Sequence, residues 1–186
     1  IYYFDTTIKS TENIEKTGLS VLGKVSFVNT KDKNSDNKTK EIFINNNPKS
    51  GFSESIKSIR ANLQFSDFDE NKKVYAITST SPEEGKSFIT ANLAAAFAKE
   101  GKKVLIIDAD LRRGRQHRIW GIKNNRKKGY SNMILQLNRK IFDLNTYVNK
   151  TNINNLFLVT TGANPPSPTE LLSSNNNKKL IDKLKD

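Results

Sequence analysis

One nine-residue stretch constrains this chain more than any other: Ser79-Thr80-Ser81-Pro82-Glu83-Glu84-Gly85-Lys86-Ser87. It lies between a short apolar run, Val74-Tyr75-Ala76-Ile77-Thr78, and a strong helical pattern from Lys86 to Glu100. Strand, glycine-bearing loop and helix N-terminus in that order form a phosphate cradle. Backbone N–H groups of the loop and of the helix start converge on one concavity, where phosphate oxygens accept them. Gly85 lets the backbone approach closely because it has no Cβ. Lys86 places a positive charge on the β- and γ-phosphates, and the Ser87 hydroxyl can ligate Mg²⁺. The residues expected at the nucleotide are Pro82, Glu83, Glu84, Gly85, Lys86, Ser87 and Phe88. One departure stands out: the general pattern has Gly five positions before its final Gly, and here that position is Thr80.

A second signal follows the helix. Val104-Leu105-Ile106-Ile107 is a continuous apolar run, as in a strand covered on both faces of a parallel sheet. It ends in Asp108-Ala109-Asp110-Leu111-Arg112-Arg113. In open α/β sheets, ligands bind at the carboxyl ends of strands. Carboxylates there can hold Mg²⁺ or its waters, or accept a hydroxyl proton during phosphoryl transfer. Asp108 and Asp110 are therefore candidate catalytic and metal residues, together with Lys86 for catalysis and Ser87 for the metal.

The rest of the chain reads as alternation. Phe52, Ile56, Ile59 and Leu63 recur at spacings that place them on one helix face between Phe52 and Phe65, with Glu54, Lys57 and Arg60 on another. Asn132 to Leu137 reads as a helix, Leu156–Val159 as a strand, and Thr169–Leu172 and Lys178–Lys185 as helices. Such alternation predicts an α/β fold: a P-loop NTPase-like parallel sheet between two helical layers. A further strand is due after the last helix, so the fold is expected to lack later strands. Residues 1–28 read as a lead-in with a helix capped at Ser10 or Thr11. Residues 29–50 read as a polar linker interrupted by Ile42-Phe43-Ile44, a short strand at most. Residues 51–186 read as the phosphate-binding domain.

Composition narrows the partners. There is no Cys, which removes disulfides and thiolate chemistry, and a single His excludes a His-rich metal site. No apolar run approaches the ~20 residues that a membrane helix needs. Lys and Arg number 31 against 19 Asp and Glu, a net charge of +12 that favours anionic partners. Nucleic acid is disfavoured: the basic stretch Arg112 to Lys128 has no aromatic residues spaced for base stacking.

Taken together, Ile77-Thr78-Ser79, Pro82, Glu84-Gly85-Lys86-Ser87, Asn92-Leu93-Ala94 and Val104 to Arg113 closely resemble the bacterial tyrosine kinases of capsule and exopolysaccharide assembly. The second motif is similar to their additional Walker motif. Thr161-Gly162-Ala163-Asn164-Pro165-Pro166-Ser167-Pro168-Thr169-Glu170-Leu171-Leu172 resembles another family stretch, and the likeness runs from about Gly51 to the C-terminus. Phe4-Asp5-Thr6-Thr7-Ile8-Lys9-Ser10, with Gly18 to Gly23, resembles the segment after the second membrane helix of the polysaccharide co-polymerase module.

The resemblance implies an ATP-dependent protein-tyrosine autokinase using Mg²⁺. It would act at the cytoplasmic face of the bacterial inner membrane, beside a transmembrane activator segment and an anionic lipid surface. One of Asp108 and Asp110 would organise Mg²⁺ and the other would lie near the acceptor hydroxyl. Glu54, Lys57 and Arg60 align with a Glu-x-x-Arg-x-x-Arg helix that mediates ring-shaped self-association. The middle Arg is Lys57 here, which cannot make the same bidentate carboxylate contact. Both ends read as cut, because the only Met is Met133 and no acidic strand or tyrosine-rich tail follows. The expectation is a fragment that binds nucleotide weakly and phosphorylates poorly alone. Two alternatives stay open. One is a non-catalytic P-loop regulatory module. The other is a partition- or division-site-type ATPase, although the signature Lys of that group is Ser81 here.

Overall fold

A computed structural model describes residues 10–28, 41–66 and 74–185. The expectations for Phe4–Lys9, for the polar run Asn29–Lys38 and for Asp186 lie outside the described residues.

The sheet is built from two apolar runs. β1 (Val104–Ile107) pairs in parallel with β3 (Leu156–Val159), Ile106 opposite Leu158 and Ile107 opposite Val159. β2 (Asn149–Lys150) adds an antiparallel edge on the far side of β3, giving the order β1-β3-β2. The sheet is thus mixed rather than purely parallel. β2 holds only two residues, Asn and Lys, which carry no apolar signal.

Alternation of side chains across the sheet divides the core in two. Ile106, Leu156 and Leu158 face one cluster, which includes α2 (Phe43–Asn46), α3 (Gly51–Ser66), α4 (Lys86–Lys99) and α5 (Gln116–Ile119). Leu105, Ile107 and Val159 face the other, made with α6 (Tyr130–Gln136), α7 (Pro168–Ser173) and α8 (Asn175–Lys185). A sheet between two helical layers results. Each fully buried Ile or Leu, such as Ile56, Leu158 and Leu180, contributes about 1.5–3 kcal/mol.

The central helix, α4, is apolar nearly all round, with Ala91, Leu93, Ala94, Ala95, Ala96 and Ala98 buried. Its run of Ala lets α3 and the sheet approach from different sides. A short helix, α1 (Thr11–Glu15), forms in the lead-in, flanked by Ser10 at the N-cap position, though the Ser10 side chain makes no capping bond. No helix among the described residues is long and apolar enough to cross a membrane.

Three local expectations are corrected. Val74–Ser79 carries no strand assignment, and Val74, Tyr75 and Ile77 remain exposed. A strand is defined by its ladder, and none of the described strands pairs with this segment. Ile42-Phe43-Ile44 does not form a strand: residues Phe43–Asn46 make a single helical turn. Nor is that part of the expected linker solvated, since Ile42 and Ile44 are buried. Asn92 explains the docking, accepting from the Ile44 N–H (3.0 Å) and donating to the Glu41 carbonyl (2.8 Å). Finally, the basic stretch Arg112 to Lys128, to which the sequence assigns no element, holds α5, because Ile119 and Trp120 are buried on its inner side.

Candidate functional site

The phosphate loop turns on two left-handed residues, Glu83 (φ +68°) and Gly85 (φ +89°). Gly85 is also the N-cap of α4, so the helix N–H groups start where the loop closes. A side chain at Gly85 would meet no neighbour, so it is this positive φ that asks for glycine. Glu84 does not point into the concavity. Its carboxylate accepts from the Ser81 N–H (3.0 Å) and the Thr80 hydroxyl (2.9 Å). The Ser81 N–H, then the Thr80 hydroxyl, hold its pKa below the ordinary value. Thr80 thus replaces the expected Gly with a hydroxyl that ties the loop to itself. Phe88 turns its side chain into the core. Its ring packs against Phe52 (centroids 4.9 Å apart) and Phe43 (5.8 Å), leaving its backbone as the part that can serve a phosphate.

The two motifs meet. Lys86 Nζ lies 3.4 Å from Asp110 Oδ2. The other Asp110 oxygen accepts from the Arg113 N–H at 2.9 Å and the Arg112 N–H at 3.4 Å. Burial works against this carboxylate, but the Arg113 N–H and the Lys86 ammonium outweigh it and hold its pKa below the usual range. Asp108 is placed differently. It is 5% exposed at the end of β1, and its Oδ2 accepts from the Gln116 N–H (2.9 Å). Burial is the largest influence on it and pushes its carboxyl up to about 6, against the Gln116 N–H, which lowers it. One acid is therefore kept charged at the mouth, and the other is held in a dry corner.

Sequence reasoning missed the frame behind this pair. Gln116 donates through Nε2 to the Ser87 carbonyl (2.9 Å) and accepts from Trp120 Nε1 (3.2 Å). Asn124 reaches the loop after β3, donating to Thr161 Oγ1 (3.1 Å) and accepting from the Gly162 N–H (3.1 Å). There Gly129 and Gly162 touch: a Cβ on Gly129 would come within 2.2 Å of Gly162 Cα. No pattern of types marks these residues, because the partners that tie them to the site, Ser87 for Gln116 and Thr161 and Gly162 for Asn124, are distant in sequence.

The surface trio splits. Glu54 and Lys57 form an exposed ion pair (2.7 Å). Arg60 pairs with Glu100 at the end of α4 and is half-buried.

The chain's residues 75–184 match the model of the CobQ/CobB/MinD/ParA nucleotide binding domain. The chain belongs to this family. The domain therefore has a P-loop NTPase-like α/β fold and is a nucleotide-binding domain.

Within the family, this nucleotide-binding domain is similar to bacterial tyrosine kinases. It is 42% identical over 133 residues to the tyrosine-protein kinase YwqD of Bacillus subtilis, covering 72% of this chain and 54% of YwqD. The kinase domain of the Escherichia coli tyrosine kinase ETK superposes with a TM-score of 0.82 at 27% identity, over 97% of this chain and 70% of that one. The chimerical protein CapA2B2 superposes with a TM-score of 0.75 at 32% identity, over 94% of this chain and 70% of that one. The chain thus spans about half the length of YwqD.

Proposed function

We infer that this chain carries the nucleotide-binding part of a bacterial protein-tyrosine kinase that regulates capsular or exopolysaccharide polymerisation. The observation that carries this reading is the meeting of Lys86 with Asp110, with Asp108 held beside them. A plain nucleotide switch needs the loop. A second acidic motif at the same point supplies what transfer needs, a carboxylate near an acceptor hydroxyl. Among the described residues no three acidic or His side chains converge as a metal cage. Mg²⁺ keeps waters and substrate oxygens and takes few protein ligands. Ser87 and Asp108 would hold it, and it would neutralise charge on the β- and γ-phosphates of ATP.

The chain's own groups then divide the work. The loop N–H groups and Lys86 bind and orient the phosphates. Asp110, kept charged at the mouth, would take the proton of a tyrosine hydroxyl as that oxygen bonds to the γ-phosphorus and ADP leaves. Lys86 and Asp110 neutralise each other until phosphate competes for the ammonium.

The same reading assigns residues 1–28 to a juxtamembrane segment and 51–186 to the kinase domain. Residues 41–50 dock on that domain through Ile42 and Ile44. It places the chain at the cytoplasmic face of the inner membrane beside a co-polymerase partner. Self-association would use the α3 face of Glu54 and Lys57. Arg60 is already engaged by Glu100 and would have to exchange partners.

ADP binding with and without Mg²⁺ tests the site. Lys86→Ala should cost about 1.5–3 kcal/mol, the worth of a charged hydrogen bond, or about 10- to 100-fold in Kd. Equal binding by the variant would reject the loop. Phosphotyrosine after incubation with Mg·ATP, lost in Lys86→Ala, tests the transfer. Nucleotide binding that never yields phosphotyrosine would favour a regulatory module instead.

A further inference from the structure

Gln116 belongs to neither motif, yet it touches both. It is 3% exposed and opens α5. Its backbone N–H donates to Asp108 Oδ2 at 2.9 Å. Its side-chain Nε2 donates to the Ser87 carbonyl at 2.9 Å, and its Oε1 accepts from Trp120 Nε1 at 3.2 Å. A primary amide suits this place because it presents a donor at one corner and an acceptor at the other. Trp120 is itself 5% exposed, so the acceptor end is anchored in the core. The carbonyl it holds belongs to Ser87, the residue whose hydroxyl the loop reading assigns to the cation.

We propose that Gln116 is a positioning residue for the divalent cation: it fixes Ser87 relative to Asp108, so that Mg²⁺ arriving with a nucleotide meets a preset pair. This rests on the reading of the loop as a Mg·nucleotide site. The two bonds it makes towards the site can be separated. Any residue at 116 keeps the backbone N–H to Asp108. Only a side chain with a donor at this reach adds the bond to the Ser87 carbonyl, beyond the α4 helix that carries Ser87. Replacing the side chain therefore releases the hydroxyl's half of the pair and leaves the carboxylate's half in place. Its effect falls on the Mg²⁺ dependence of binding, because the loop N–H groups and Lys86 do not depend on Gln116.

Calorimetric titration of the chain with ADP, in Mg²⁺ and in EDTA, reads this directly. The series is wild type, Gln116→Leu, Ser87→Ala and the double variant. Loss of an outer-shell partner costs about 10- to 100-fold in metal affinity, so Gln116→Leu should shrink the tightening by Mg²⁺ about 10-fold. Its affinity in EDTA should stay near wild type. In the double variant Gln116→Leu should add nothing to Ser87→Ala, because it acts through that residue. Trp120, the only Trp, reports by its emission whether each variant keeps a buried core. Gln116→Met replaces Gln116→Leu if the branched side chain does not fold.

Wild-type Mg²⁺ dependence in the folded Gln116 variant would overturn the proposal. So would full additivity with Ser87→Ala, since that is the mark of a merely structural role. Absence of ADP binding by the folded wild type would overturn the nucleotide site itself, and the proposal with it.

Discussion

Asp108 carries a conflict within one side chain. Its position at the end of β1 buries a carboxylate and pushes it up to about 6. A carboxyl whose pKa is higher in the folded than in the unfolded chain lends its full stability below the unfolded value of 3.8. That contribution is lost as the pH rises through about 6. At neutral pH without a cation, the ionised group costs about 3 kcal/mol at 1.36 kcal/mol per unit. Asp108→Asn keeps an oxygen for the Gln116 N–H and removes the charge. In EDTA, its melting temperature at pH 7.5 should exceed that of wild type. The fall between pH 5 and pH 7.5 should be smaller than in wild type, and ADP binding should lose its dependence on Mg²⁺. A variant that melts lower than wild type at pH 7.5 would mean that the buried charge is not the cost.

At the scale of elements, the boundary of the folded unit lies earlier than composition suggests. Ile42 and Ile44 are 1% and 2% exposed, and Asn92 in the middle of α4 holds the backbone on either side of them. Ile44→Ala should destabilise the chain by about 2–5 kcal/mol, as for a buried Ile truncated to Ala. Urea unfolding followed by Trp120 emission measures it, and a loss under 0.5 kcal/mol, the range of ordinary surface changes, would return the segment to the linker. What the sequence disclosed and what it withheld divide along physical lines. α3, α4, β1 and β3 were legible because each has enough apolar residues in one period to declare itself. Gly85, Lys86, Asp108 and Asp110 stand out in the sequence because a phosphate site would need those types at that spacing, and the structure brings Lys86 and Asp110 together. Phe43–Asn46, β2 and α5 were not. All three are short; Phe43–Asn46 and α5 are held by contacts to residues tens of positions away, Ile44 to Asn92 and Gln116 to Ser87, and β2 is a two-residue edge with no apolar signal. Val74–Thr78 misled for a related reason: apolar composition invites a strand, but a strand also needs a neighbour.

The whole molecule is a cation. A net charge of +12 on 186 residues attracts anionic surfaces at distances up to a Debye length, ~10 Å at 0.1 M salt. If the domain works at an anionic leaflet, it should co-sediment with vesicles containing phosphatidylglycerol at low salt. Binding should fall steeply as salt rises, and neutral phosphatidylcholine vesicles should not retain it. Equal retention on both vesicle types would remove the lipid surface from the list of partners.

The contact between Gly129 and Gly162 bears on how such a chain can change over time. The two backbones meet where the arginine-rich arm joins α6 and where the loop leaves β3, each occupying the room that a methyl group on the other would need. A side chain at Gly129 would run into the main chain of Gly162, and one at Gly162 would meet the Asn132 and Ser131 side chains as well as Gly129 Cα. The outer residues Lys127 and Lys128 are exposed, but the two loops are pinned to each other at this point. Whatever reshapes the mouth of the site must do so around it.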